Sequence, residues 1–185
     1  MRTVRTMFLV AVLFVSLPSG AVPKNTSRFS PQTEPQKKVL PHDVLAYFSG
    51  AWSGKGKFAT GEPIASDISF VPDLDNQCLL VREKEKPPNT FQFVGVWSMD
   101  SVSGDLVMLS AVHNSGARVF RSHGWQDGKI VFQSVPELRA QFGLERFTFE
   151  RKSDATFDST FEVSTDNGRT WRVGDRQEYT KVPSR

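Results

Sequence analysis

One cysteine, two tyrosines and three histidines are all that this chain of 185 residues carries of those types. The lone thiol, Cys78, excludes an intramolecular disulfide, so stability has to come from packing. It sits in the strand-like run QCLLV, where it reads as a small buried hydrophobe rather than a nucleophile. The two tyrosines stand against 15 Phe and 4 Trp. So many rings without a hydroxyl to satisfy imply an apolar interior. There is no HExxH, no CxxC, no GxSxG and no phosphate-binding glycine loop, which removes the usual signatures of metalloprotease, thiol-redox, hydrolase and nucleotide-binding chemistry. Charge of one sign never runs in a block: the net +3 comes from interspersed Lys, Arg, Asp and Glu, so no nucleic-acid footprint is expected.

Long apolar runs are missing as well. The longest, Met7 to Leu17, is 11 residues, against the roughly 20 that a membrane-spanning helix needs. Arg2 and Arg5 precede it, and Pro18, Ser19, Gly20 and Ala21 follow as small residues around a cleavage point, so residues 1–21 read as a signal peptide. The mature protein is then expected to be secreted or periplasmic, with no transmembrane span. No cysteine ends the leader, which speaks against a lipoprotein anchor. Residues 22–40 are rich in Pro, Ser, Thr, Gln and Lys without apolar periodicity, the composition of a flexible tether. A single domain is expected over 41–185.

Within it, Pro41-His42-Asp43 followed by Val44, Leu45, Tyr47 and Phe48 predicts a short helical turn that covers the end of a barrel. From Ala51 onward the pattern predicts ten strands, near 51–59, 63–71, 77–85, 90–99, 105–113, 117–126, 129–135, 145–152, 156–165 and 170–181. The separators are turn chemistry: Thr60-Gly61, Pro72-Asp73, Pro87-Pro88-Asn89, Ser103-Gly104, Asn114-Ser115-Gly116, Asp127-Gly128 and Asn167-Gly168. Short links favour antiparallel neighbours, and nothing signals the long crossovers of a Greek key. An all-β, antiparallel up-and-down barrel is therefore expected rather than a sandwich. Residues 136–144 are long enough for a short helix or a lid.

Two hairpins allow a finer reading. A two-residue Asp127-Gly128 turn pairs Gln126 with Lys129, and sets Trp125 opposite Ile130, His123 opposite Phe132 and Arg121 opposite Ser134. Arg121 and His123 are then expected to point inward, where a cation needs an acid, water or a ligand. In the last hairpin, a three-residue Asp166-Asn167-Gly168 loop sets Val163 opposite Trp171 and Phe161 opposite Val173. With Asn114 to Gly116 as a turn, His113 opposes Ala117 and lies roughly 20 Å from His123 along the strands, so the two are not expected to share a metal. Glu83 and Glu85, in VREKEK, read as part of a solvated strand face.

The opening FSGAWSGKGKF, with Phe48, Gly50, Trp52, Gly54 and Gly56 alternating, resembles the first strand of lipocalin-related barrels. Together with the strand count, the GVWSMDSVSGDLV hairpin and the closing TWRVGDRQEYTKV, it is similar to an uncharacterised bacterial exported family related to lipocalins, fatty-acid-binding proteins and nitrobindins, the calycin-like barrels. The resemblance covers about residues 43–182 and implies a container, with Trp52 as a structural plug of its floor and Gly54 as part of the bending first strand. Nitrobindins hold haem through a histidine near the C-terminus; the corresponding strand here has none, so no cofactor is expected. STDNGRTW, Ser164 to Trp171, also resembles the Asp-box SxDxGxxW of sialidases, in which Asp166, Gly168 and Trp171 would brace the hairpin and take no part in catalysis. The functional expectation is an exported barrel that binds an apolar or amphipathic small molecule. Arg121 and His123 are its head-group contacts, joined by Trp97, Trp125, Arg82, Gln177 and Tyr179. Two alternatives stay open: an enzyme using His123 as acid or base in the cavity, and a filled barrel that acts as a structural or interaction module.

Overall fold

The computed structural model describes residues 39–183. The expected signal peptide and nearly all of the tether lie outside them. Among the described residues no helix is long and apolar enough to cross a membrane.

The chain enters through a helix, α1 (His42–Phe48), and then runs as an antiparallel meander: β1 (Gly50–Phe58), β2 (Pro63–Asp73), β3 (Cys78–Glu85), β4 (Gln92–Met99), β5 (Leu106–Val112), β6 (Gly116–Ser122), β7 (Trp125–Gln126), β8 (Lys129–Ser134), β9 (Leu144–Ser153), β10 (Thr156–Ser164) and β11 (Arg172–Lys181). Each strand pairs with the next except β6 with β7, and β1 pairs with β11. β6 and β7 both pair with β8, so they are two halves of one interrupted strand. The result is a closed antiparallel barrel of ten strands, which leaves no free sheet edge. Inward and outward residues alternate as closure requires: on β8, Ile130, Phe132 and Ser134 are buried between exposed Lys129, Val131 and Gln133. The connection after β8 holds a short 3₁₀ turn, Pro136–Leu138, and a bridge between Ala140 and Gly143.

Leu40, expected to be the last residue of the tether, belongs to the core. Leu40 is buried and its N–H donates to the Asn76 carbonyl at 3.2 Å, so the chain is already anchored there. α1 closes one end of the barrel, the floor. Phe48 is fully buried at the centre of it, stacked on Trp125 with ring centroids 5.7 Å apart and set edge-on to Trp97, Phe149 and Phe157. Trp52 does serve the floor: it packs on Phe157 at 4.8 Å, and its indole N–H donates to the Phe48 carbonyl at 2.8 Å, satisfying a backbone group at the helix end. Tyr47 donates to the Thr156 carbonyl at 2.7 Å, tying the helix to the β9–β10 turn. Gly54 allows a close approach across β1, where an added Cβ would lie 2.6 Å from the Tyr179 ring. Cys78 is buried, as its surroundings suggested, and burial pushes its thiol up.

Three expected registers change. Asp127-Gly128 does set Gln126 opposite Lys129 and Trp125 opposite Ile130. Beyond it, however, Arg121 pairs with Gln133 and Phe120 with Ser134. The cause is Gly124, whose φ of +80° breaks the strand and takes up one extra residue. In the last hairpin Val163 faces Arg172 and Phe161 faces Asp175, with a bulge between Phe161 and Glu162. The loop is longer than three residues because Asp166 organises it from within. Its carboxylate accepts from the Thr170 N–H at 2.9 Å, from the Thr170 hydroxyl at 2.6 Å and from the Ser164 hydroxyl at 2.8 Å. The Ser164 hydroxyl in turn accepts from the Gly168 N–H, and the Trp171 indole donates to the Gly168 carbonyl. His113 also lies beyond its expected partner, since Ala111 takes the place opposite Ala117.

Phe48→Ala is expected to lower the unfolding free energy by about 3–5 kcal/mol, the usual loss when a buried ring is truncated, measured by urea denaturation. The Thr170 and Ser164 donors hold the Asp166 carboxyl at about 2, below its ordinary 3.8. Its stabilising effect is therefore present above pH 4 and lost as the pH falls towards 2. The melting-temperature gap between the protein and Asp166→Ala should narrow across that window; a constant gap would refute the brace.

Candidate functional site

The half of the barrel away from α1 is not filled. It contains a cavity of about 500 Å³, within the range of small-molecule sites. Its walls carry Phe58, Phe91, Phe93, Phe120, Phe147 and Phe161, which come from β1, the β3–β4 loop, β4, β6, β9 and β10. These rings reach the lumen because their positions share the inward phase of strands whose floor-side residues pack against Phe48.

On this apolar wall sit two polar groups. The first lies on β2, β3 and β11. The Tyr179 hydroxyl lies 2.8 Å from Glu83 Oε1 and in short contact with the Ser66 hydroxyl, which lies 3.0 Å from Gln177 Oε1, so the four groups form one hydrogen-bonded chain. Glu85 and Asp175 lie beside them in the cavity wall. Burial lifts the Glu83 carboxyl to about 7, against the opposing hydrogen bonds from Tyr179 and Ser66 and with added repulsion from Asp175 and Glu85. Burial likewise lifts Asp175 to about 6 and raises Glu85. Tyr179 is pushed well up by burial and by the neighbouring Glu83 charge.

The second group is an ion pair on the opposite wall. Arg118 Nε donates to Glu145 Oε2 at 3.1 Å, with the two side chains 8% and 11% exposed. The guanidinium also donates to the carbonyls of Ser115 and Ala117 at 2.6 and 2.9 Å, and the Glu145 N–H donates to the Ser134 hydroxyl at 2.8 Å. Burial raises the Glu145 carboxyl, and Arg118 opposes that rise. Removing one partner of so buried a pair leaves an uncompensated charge, a loss of about 3–5 kcal/mol.

The residues singled out from the sequence fall in different places. Gln177 and Tyr179 line the cavity. Arg121 and His123 do not. The Gly124 bulge turns both to the outer surface near the floor, where Arg121 Nη1 meets Asp100 at 2.6 Å and His123 Nδ1 lies 2.8 Å from Asp105, with the His123 side chain 86% exposed. The acid–base role expected of His123 inside the cavity therefore has no geometry. His42 and His113 are also outside the lining. Arg82 is exposed on the outer face of β3. Trp97 and Trp125 belong to the floor, around Phe48, and not to the cavity wall. Trp171 packs in its own hairpin, beneath Arg146 at 4.2 Å. Among the described residues no group of three or more His, Cys, Asp or Glu is placed to hold a metal ion.

Glu83, Glu85, Asp175, Arg118 and Glu145 were missed by the sequence reading. The signal for the first two was present. In CLLVREKE, Leu79 and Val81 are inward, and Glu83 and Glu85 continue the same phase, while Arg82, Lys84 and Lys86 face solvent. Asp175 is in phase with Gln177 and Tyr179, and Arg118 with Phe120.

No protein-family model matches this sequence, and no curated protein matches it. Among solved structures, Rv2717c from M. tuberculosis matches with a TM-score of 0.54 at 10% identity, over 79% of this chain and 100% of that one. At that identity the likeness is one of fold. A de novo designed fluorescence-activating β-barrel aligns with a TM-score of 0.41 at 12% identity, over 75% of this chain and 97% of that one.

Because Glu83 and Asp175 titrate above their ordinary 4.5 and 3.8, the folded protein keeps protons that the unfolded chain releases. Stability from this source is full at low pH and falls as the pH rises from about 4 to 7. Glu83→Gln should flatten the fall in denaturation midpoint between pH 5 and pH 8; curves parallel to the parent protein would refute the buried-acid assignment.

Proposed function

We propose that this chain is an exported binding protein that takes one apolar or amphipathic small molecule into its lumen. The observation that carries the reading is the division of the barrel: an aromatic floor packed solid, and above it a cavity of about 500 Å³ walled by phenylalanines and fixed polar groups. A barrel filled throughout would need no such space, and a small lumen with a few oriented polar groups is the usual anatomy of a ligand site. Export is supported by the leader-like composition of residues 1–21. The expected head-group contacts move from Arg121 and His123 to the polar groups of the cavity wall.

Native mass spectrometry of gently purified protein should show a bound species that denaturation releases. Titration with an environment-sensitive fluorophore such as 8-anilinonaphthalene-1-sulfonate or a neutral naphthylamine analogue should saturate at one per chain for at least one probe. Ser110 lines the cavity on β5, so Ser110→Trp should fill it and weaken that binding at least about tenfold. Arg121→Ala and His123→Ala should leave it unchanged. Absence of any bound species together with absence of saturable uptake would sink the proposal.

A further inference from the structure

The cavity does not share the sign of the chain. The chain as a whole carries a net +3, yet its lumen is acidic. Titratable groups reach the lumen wall from four strands: Glu83 and Glu85 from β3, Asp175 and Tyr179 from β11, Arg118 from β6 and Glu145 from β9. The lining residues of β1, β2, β4, β5 and β10 carry none. Arg118 is the one cation in the wall among the described residues, and it is committed to Glu145 and to two backbone carbonyls. Glu83, Glu85 and Asp175 therefore stand in excess, without a counter-charge among the described lining residues.

Glu85 is the most telling of the three. Its side chain lines the cavity, the residue is only 9% exposed, and its carboxylate has no hydrogen-bond or ion-pair partner among the described residues. Glu83 has its tyrosine and Asp175 its glutamine, but neither partner supplies charge. A carboxylate set into an apolar wall with no counter-charge is costly unless something else meets it, and burial already raises the Glu85 carboxyl. Around the three acids the wall is aromatic: Phe93 stands opposite Glu83 in the β3–β4 register, and Phe58 and Phe161 stand opposite Asp175. Carboxylates among aromatic rings are the surroundings in which ammonium groups are held, by charge and by cation–π attraction together.

We propose that the ligand of this cavity is cationic, an amine or quaternary ammonium joined to an apolar body, with Glu83, Glu85 and Asp175 receiving the charged end and the phenylalanines of the opposite wall the body. The proposal rests on the lumen being a ligand site. An anionic head would instead meet three carboxylates and one guanidinium already engaged. Charge uptake also displaces protons. Glu83 and Asp175 hold theirs towards neutral pH in the empty cavity, so a permanent cation binds more tightly as the pH rises through that range.

Three probes with one tail and different heads separate the possibilities: decyltrimethylammonium, decanol and decyl sulfate, each titrated calorimetrically into the protein below its micelle concentration at pH 5.5 and pH 8. None of the three heads titrates in this range, so any pH effect belongs to the protein. At pH 8 decyltrimethylammonium should bind about tenfold or more tighter than decanol, with decyl sulfate weakest. The margin should shrink at pH 5.5, and Glu85→Gln should reduce affinity for the cation alone. If decanol or decyl sulfate binds as tightly as the cation, the charge assignment is overturned while the lumen remains a ligand site. If none of the three binds at either pH, both readings fall.

Discussion

The arrangement depends on one insertion: Phe48, at the end of a seven-residue helix, driven into the end of a ten-stranded barrel. A ring of strands this wide has more interior than its own side chains fill. The helix supplies the missing volume at one end only. The hydrogen bond from the Trp52 indole to the Phe48 carbonyl satisfies the backbone where the helix stops and fixes the ring's height in the lumen. Tyr47 then pins the helix to the β9–β10 turn, beneath the Arg151 guanidinium, which lies 4.0 Å from its ring centre. Because the floor is densely packed, the mouth can remain open without loss of the hydrophobic contacts that hold the strands in register.

The acids of the mouth follow from that division. Each lies in the inward phase of a strand whose floor end is apolar, so the strand cannot turn it out without exposing its core residues as well. On β3, Val81 is buried and Glu85 shares its face; any register that solvated Glu85 would solvate Val81. Packing of the floor thus imposes burial on carboxylates that would otherwise choose water. The Arg118–Glu145 pair shows the same constraint resolved internally, with the guanidinium's donors taken by a carboxylate and two carbonyls. Of the β3 and β11 acids, Glu83 has hydroxyl partners and Asp175 an amide, Glu85 has neither, and none of the three has a cation.

Turn chemistry made the barrel legible from sequence. Gly- and Asn-containing separators at short intervals mark hairpins, and ten strands follow with boundaries within a few residues of those observed. Register was legible only as far as the first bulge. Trp125 opposite Ile130 follows from the Asp127-Gly128 turn, but just before Trp125 the glycine at 124 inserts an extra position, and every assignment beyond it changes face. A glycine in a strand signals such a break without saying whether it occurs. Asp166 misled in a different way, because side-chain hydrogen bonds enlarged a loop that backbone rules alone would have kept short. The acids were hidden by their neighbours. Glu83 and Glu85 alternate with Arg82, Lys84 and Lys86, and a charge-rich run looks solvated unless its two faces are separated; here one face is acidic and inward, the other basic and outward.

The solid floor also has a consequence for how such a protein can change through descent. Apart from the buried Arg118–Glu145 pair, residues at the mouth contribute little to the closure around Phe48, so substitutions there reshape the cavity wall while leaving the floor's packing intact. Floor residues have no such freedom, since each touches several others across strands distant in sequence. The shape of the cavity and the packing of the floor are thus written into different halves of the same ten strands. A lineage of such barrels would diverge at one end in the lining of its cavity and stay recognisable at the other, even after overall sequence similarity has faded.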